Sequence, residues 1–313
     1  MKVLFFGTPD FAVPTLEALL LHHQVVAVVT QPDRPAHRGQ RSTPPSIKVR
    51  AEAAGLPVVQ PARLRDPGWP ERLAAFAPDV AVVVAFGQIL PKAVLDVPPR
   101  GSINVHASLL PRYRGAAPVA WAIMRGETTT GITTFQMDEG MDTGPILLQS
   151  RPVPIGPEHT AGDLARQLAV LGAESLIDTL AQLDTLAPRA QQNEEASTAP
   201  RLKKSDGYLD WDRPARELVN VVRGCNPWPG ALTTSRAGRL TIWHARAVGS
   251  GPSGSPGVLS HHESHPVIPT SDGALLPIEV QGENKRRMSW AEFLRGARLA
   301  AGDRLLRPAR LEP

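Results

Sequence analysis

The chain has 313 residues, 42% hydrophobic and 20% charged, enough apolar material for one large or two ordinary packed domains and too evenly mixed for wholesale disorder. Its net charge is +4, and a single cysteine, Cys225, excludes an internal disulfide and a cysteine-based zinc site. MKVLFFGTPD is too short an apolar run for a signal peptide, and no stretch approaches the ~20 apolar residues of a membrane helix, so a soluble cytoplasmic protein is expected.

Val3 to Phe6 is an unbroken apolar run closed by Gly7, the pattern of a strand buried on both faces, and Leu16, Leu19 and Leu20 then recur at helical spacing up to His22. Val25 to Val29 predicts a second strand. The stretch after it is basic: Arg34, Arg38, Arg41, Lys48 and Arg50 face only Asp33, and Pro32 to Lys48 is too rich in Pro, Arg and Gly to pack as a core element. A helix over Glu71 to Phe76 precedes a strand at Val80 to Ala85. Further strands are expected at Ile103 to Val105, Ile132 to Gln136 and Ile146 to Val153, and one long helix or two short ones between Thr160 and Leu183. Strands alternating with helices predict a doubly wound, mostly parallel, Rossmann-like α/β sheet. Ala187 to Pro200 is polar, closed by proline, and reads as a linker. Beyond it come a helix near Arg213 to Arg223 and short alternating runs at Ala231 to Thr234, Leu240 to Val248, Gly257 to Ser260, Val267 to Pro269 and Leu275 to Val280. With a last helix from Ser289 to Leu299, they predict a small antiparallel barrel. The expected division is 1–188, a linker over 189–206, and 207–313.

Two familiar motifs are excluded. FGTPDF has one glycine where a dinucleotide fingerprint needs three, and HHESH is one residue short of a helical zinc motif, which leaves it as an exposed hairpin loop. Asn104 and His106 are more informative. Two apart on a strand, they share one face, at the carboxyl end where open α/β sheets bind ligands. A neutral imidazole and a carboxamide there can both donate to a developing oxyanion. Asp138 or Asp142, on the Gly-rich MDEGMDTGPI loop, can orient the imidazole and relay a proton. The plain alternative is polar residues capping strand ends and turns. A second basic run, Lys285, Arg286, Arg287, Arg295, Arg298, Arg304, Arg307 and Arg310, joins the first in suggesting a polyanionic partner, against the alternative of a solvated face.

GTPDFAVPTLEAL, TQPDRPAHRGQRSTPPSIKV, VVVAFGQILPKAVL, INVHASLLPRYRGAAP, GITTFQMDEGMDTGPIL, LDW and NPWPG follow one another along the whole chain. This sequence resembles the folate-dependent formyltransferases, and the basic insertion and NPWPG narrow the resemblance to the methionyl-tRNA formyltransferase family. The resemblance implies transfer of a formyl group from 10-formyltetrahydrofolate to the α-amino group of methionine on initiator tRNA. It implies Asn104, His106 and Asp142 as the catalytic trio; Ser108, Leu109, Leu110 and Pro111 as the folate signature; and Phe86, Gly87 and Ile89, in the loop Phe86 to Pro91, as a wall of the same pocket. It implies tRNA contacts from Arg34, Arg38, Arg41 and Lys48, and from Lys203, Lys204, Lys285, Arg286 and Arg287 of an OB-like C-terminal barrel. No metal is required, and a monomer without membrane contact is expected. A frequent Gly-Arg-Gly-Lys-Lys cluster of the family stands here as His37-Arg38-Gly39-Gln40-Arg41, one lysine fewer.

Overall fold

The computed structural model describes residues 1–36, 41–249 and 254–308. Contacts divide the chain into one unit of residues 1–118, 129–153 and 165–200, and a second of 119–128, 154–164 and 201–313.

The first unit is built on a seven-stranded sheet. Its order is Ile146–Gln149, Thr133–Gln136, Ser102–His106, Val80–Val84, Lys2–Gly7, Gln24–Val29 and Val58–Val59. The five strands from Ser102–His106 to Val58–Val59 pair in parallel, and the two at the other end are antiparallel. Val3 to Phe6 and Val80 to Val84 are none of them more than 3% exposed. Burial on both faces is why these strands read as continuous apolar runs rather than alternating ones. Ala161–Ala181 is one helix of 21 residues, not two short ones. It lies tight against the sheet beside the site strand: a Cβ on Gly172 would sit 3.0 Å from Val105 Cγ1.

Some expectations are displaced. The helix predicted over Glu71 to Phe76 is Trp69–Ala74, because Pro70 suits a first helical turn and Ala77, at φ 47°, turns the chain away. The basic insertion, far from lacking packed structure, holds a short hairpin, Arg34–Ala36 against Arg41–Thr43, and then the helix Ser46–Ala53. That helix follows Pro45 and buries Ile47 and Ala51, and its eight residues are too short and too weakly patterned to stand out in the sequence.

The second unit carries an antiparallel sheet in the order Ala231–Ser235, Gly238–Val248, Ala274–Gly282, His265–Pro269 and Ser260–His262, with Met288–Ser289 beside Ala274–Gly282. No ladder joins the two outer strands among the described residues, so the expected barrel is not closed. Trp211, Leu218, Ile242, Val280, Trp290 and Phe293 belong to its core. The helix Trp290–Ala297 starts at a reciprocal cap, Ser289 Oγ accepting from Glu292 N–H while the Glu292 carboxylate accepts from Ser289 N–H. HHESH forms a hairpin, His262 opposite His265, with Glu263 at φ 54° in the turn. Burial pushes the Cys225 thiol up to about 12, which removes it as a nucleophile at neutral pH. No helix among the described residues is long and apolar enough to cross a membrane.

Candidate active site

Asn104 and His106 lie on Ser102–His106, between Val80–Val84 and Thr133–Gln136. His106 ends the strand with only 7% of its side chain exposed, and Phe135 meets its ring edge-on at 6.5 Å between centroids. Its Nε2 is 2.9 Å from the backbone carbonyl oxygen of Tyr113. A carbonyl only accepts, so Nε2 carries a hydrogen, and in the neutral ring Nδ1 is then a bare lone pair. Nδ1 faces Asp142 Oδ2 at 3.6 Å, too long for a hydrogen bond but within ion-pair range. The expectation that a neutral His106 donates to an oxyanion is thereby corrected, since its one N–H is spent on Tyr113. Only the imidazolium has a second proton to offer.

The two loop aspartates differ in their partners. Asp138 Oδ1 accepts from Gly140 N–H at 3.0 Å and from the Thr143 hydroxyl at 2.7 Å, closing its own turn. Asp142 instead reaches across to the turn after the site strand, where its Oδ2 accepts from Gly115 N–H at 2.7 Å. Its backbone is left-handed at φ 54°, uncommon for a residue with a side chain. Asn104 is half-buried, and its carboxamide bonds to no other described residue.

The loop after the strand is buttressed from inside. Ser108 Oγ donates to Arg112 O at 2.6 Å; Thr133 Oγ1 donates to Ser108 O at 2.7 Å and accepts from Leu110 N–H at 3.1 Å. Gln149 Nε2 donates to Leu110 O at 2.8 Å. Leu110 and Pro111 are buried, Leu109 half-buried, and the Leu110–Pro111 peptide is cis. Of the Phe86 to Pro91 wall, Phe86 is buried, its carbonyl accepting from the Thr8 hydroxyl at 2.8 Å; Gly87 takes φ 86°. Ile89, 60% exposed, is left as an apolar face, as is Met141 at 66% next to Asp142.

Sequence reasoning missed several contributors. Tyr113 and Gly115 act through backbone atoms, and Thr133 and Gln149 by bracing. The stretch with a linker's composition is stitched to the site. Ser197 Oγ accepts from Tyr113 N–H at 2.9 Å, Arg114 N–H donates to Ser197 O at 2.8 Å, and Ala199 N–H donates to Arg114 O at 2.7 Å. Gly115 must be glycine here: it sits at φ 121°, and a Cβ would come within 2.7 Å of Ala199 O. The one signal in the sequence is Gly115 itself, directly after Arg112-Tyr113-Arg114.

The basic residues divide. Arg34 and Arg41 are on the two strands of the hairpin, paired with Thr43 and Ala36, and Arg38 lies outside the described residues. Lys48 is committed to Asp33 at 2.8 Å; hydrogen bonds from Gln60 and then Lys48 hold that carboxyl below its usual range. Lys203, Lys204, Lys285, Arg286 and Arg287 are exposed on the second unit. Arg287 pairs with Glu279 at 3.3 Å and lies 4.0 Å over the Trp243 ring.

The formyl transferase family model matches residues 1–180, and that of the formyl transferase C-terminal domain matches 201–298. A methionyl-tRNA formyltransferase of Desulfotalea psychrophila is 48% identical over 305 residues, 96% of this chain and 94% of that protein. Among solved structures, the sugar 3N-formyltransferase WlaRD, with dTDP and 5-N-formyl-THF, has a TM-score of 0.65 at 20% identity, covering 91% of this chain and 99% of that one. HypX from Aquifex aeolicus with tetrahydrofolic acid has a TM-score of 0.63 at 19% identity, covering 96% of this chain and 48% of that one. At such identities the two structures speak for the fold alone.

Proposed function

We propose, from the premise that the chain belongs to the methionyl-tRNA formyltransferase family and formylates initiator Met-tRNA, that Asn104, His106 and Asp142 carry the reaction with 10-formyltetrahydrofolate as donor. The observation that carries this reading is the clamp on His106, Nε2–H to the Tyr113 carbonyl and Nδ1 toward Asp142.

The α-amino nitrogen of the methionyl ester attacks the formyl carbon, and charge gathers on the formyl oxygen. Asn104, whose carboxamide is uncommitted, donates to that oxygen; removing one such donor typically costs about 10²–10³ in rate. As the C–N bond forms, the amine proton passes to His106 Nδ1. The imidazolium so formed faces the Asp142 carboxylate oxygen, 3.6 Å from Nδ1. The proton then leaves Nδ1 for N10 as the N10–formyl bond breaks, giving formylmethionyl-tRNA and tetrahydrofolate. Neutral, His106 is a base; protonated, it is an acid and a second donor.

On this reading Ser108, Leu109, Leu110 and Pro111, with Phe86, Gly87 and Ile89, form the folate site. Ser108 shapes it through Arg112 O, and Ile89 offers the apolar face to the pterin. HypX and WlaRD were each solved with a folate, in keeping with a folate donor for this chain, though not with any particular residue of the site. Residues 1–188 would form the catalytic domain, 189–206 the connection, and 207–313 an OB-like tRNA-binding domain, in a cytoplasmic monomer. Arg34, Arg38, Arg41, Lys203, Lys204, Lys285 and Arg286 meet phosphates; Lys48 and Arg287 would first have to leave Asp33 and Glu279. The test is a formyl-transfer assay with 10-formyltetrahydrofolate that offers charged initiator tRNA beside free methionine and amino sugars. Transfer confined to the charged tRNA supports the reading, and transfer to a small amine alone contradicts it.

A further inference from the structure

Asp142 is held at its carbonyl by the Gln191 side chain and at its carboxylate by the Gly115 N–H, and the reaction assigns no part to Gln191 or to the Arg114 that braces it. Its carbonyl oxygen accepts from Gln191 Nε2 at 2.9 Å, and the same amide group donates to Gly144 O at 2.7 Å. Its carboxylate accepts from Gly115 N–H at 2.7 Å, one residue beyond Arg114. Arg114 Nε and Nη2 close the ring by donating to Gln191 Oε1 at 3.0 and 2.8 Å, and Nη2 also reaches Asn193 Oδ1 at 2.9 Å. The amide cannot be turned round. A guanidinium only donates, so Oε1 must face Arg114, and both N–H groups must face the two carbonyls.

Both hydrogens of one carboxamide thus span a residue with φ 54° and its neighbour-but-one. A left-handed residue with a side chain persists only where its surroundings over-determine it. Gly144 adds to the constraint, since a Cβ there would meet Gln136 O at 1.8 Å, so the loop's return path is fixed by backbone contact. The segment that carries Gln191 is anchored on each side, by Arg189 paired with Ile146 and by residues 197–199 paired with the turn at Tyr113 to Ala117. The anchor is therefore rigid where it grips Asp142.

We propose that Gln191 is a positioning residue for formyl transfer, holding the Asp142 peptide so that its carboxylate stands toward His106 Nδ1; this rests on the role given to Asp142 above. Gln191 touches neither substrate nor the transferred proton. It acts by fixing where the negative charge is when the imidazole becomes cationic.

The test compares Gln191→Ala, Gln191→Glu, Asp142→Asn and the double variant Asp142→Asn/Gln191→Ala in single-turnover formyl transfer at saturating folate and tRNA. Gln191→Glu keeps an oxygen for Arg114 and loses both N–H donors. Gln191→Ala and Gln191→Glu are expected to be slowed alike, by about 10- to 100-fold, with KM for each substrate changed less than about threefold. In the Asp142→Asn background, Gln191→Ala should cost little more, because the carboxylate it positions is gone. Full speed in Gln191→Glu, a loss confined to KM, or a Gln191→Ala effect that adds in full to Asp142→Asn would each overturn the proposal. If Asp142→Asn itself keeps full speed, the role of Asp142 fails first and that of Gln191 falls with it. A slow Asp142→Asn beside a fast Gln191→Ala refutes the positioning role alone.

Discussion

The site around His106 and the basic surface of the second unit are built on opposite principles. In the site, the side chains of His106, Asp142, Ser108 and Gln191 are each tied to backbone atoms of other residues, as in His106 to Tyr113 O and Asp142 to Gly115 N–H. Lys203, Lys204, Lys285, Arg286 and Arg287 are exposed, and Arg287 is steadied by a partly exposed glutamate and a tryptophan face. Fixed geometry serves a reaction in which an ångström matters, whereas attraction to phosphates falls off slowly and tolerates moving side chains. Substitutions in the first region should therefore act on turnover, and those among the basic residues on salt-dependent binding.

The largest expected effect breaks the site itself. His106→Ala should lower kcat by about 10²–10³ while tRNA affinity stays within about twofold; a filter-binding assay beside the rate measurement checks both, and unchanged turnover would remove His106 from the chemistry. Next is Gly115→Ala, which adds a methyl 2.7 Å from Ala199 O at φ 121°. It should destabilise the first unit by about 1–3 kcal/mol and slow turnover at temperatures where the protein remains folded, read by thermal melts and single-turnover rates. An alanine protein as stable and as fast as the parent would show that the stitched segment does not constrain the site.

Among the basic residues of the first unit's insertion, replacing Arg38 and Arg41 together by alanine should leave kcat at saturating tRNA unchanged. The dependence of log K on log salt should flatten by about two ion-release units. An unchanged slope would mean that these arginines do not meet phosphates. The smallest effect concerns the Asp33 carboxyl. Hydrogen bonds from Gln60 and Lys48 lower the Asp33 carboxyl, so their contribution is present above the ordinary carboxylate pKa of about 3.9 and is lost as pH falls through the depressed folded value. Following the Asp33 carboxyl carbon by NMR, Gln60→Ala should raise its titration midpoint; an unmoved midpoint would leave Gln60 without that role.

The same contrast separates what is legible in the sequence from what is not. Buried parallel strands announce themselves as apolar runs, and a period of two is enough to put Asn104 and His106 on one face of their strand. The choice of Asp142 over Asp138 is not available to residue patterns alone, because it depends on which loop each carboxylate bonds to. Tyr113 contributes a carbonyl and Gly115 an N–H, groups that every sequence has everywhere. Gln191 sits in a stretch whose polar composition reads as a connection, and nothing in that composition shows that it pairs with the turn after the site strand. The helix Ser46–Ala53 is hidden for a similar reason: two buried side chains in eight residues make no periodic signal.

The proton path turns on which nitrogen of His106 is free to exchange a proton. Two-dimensional ¹H–¹⁵N spectra of the protein labelled at histidine, with the His106 resonances among the nine histidines assigned by their loss in His106→Asn, read this directly. At a pH where the ring is neutral, the hydrogen should be on Nε2, bonded to the Tyr113 carbonyl, with Nδ1 unprotonated toward Asp142. A neutral His106 protonated at Nδ1 would contradict the clamp and the proton path drawn from it.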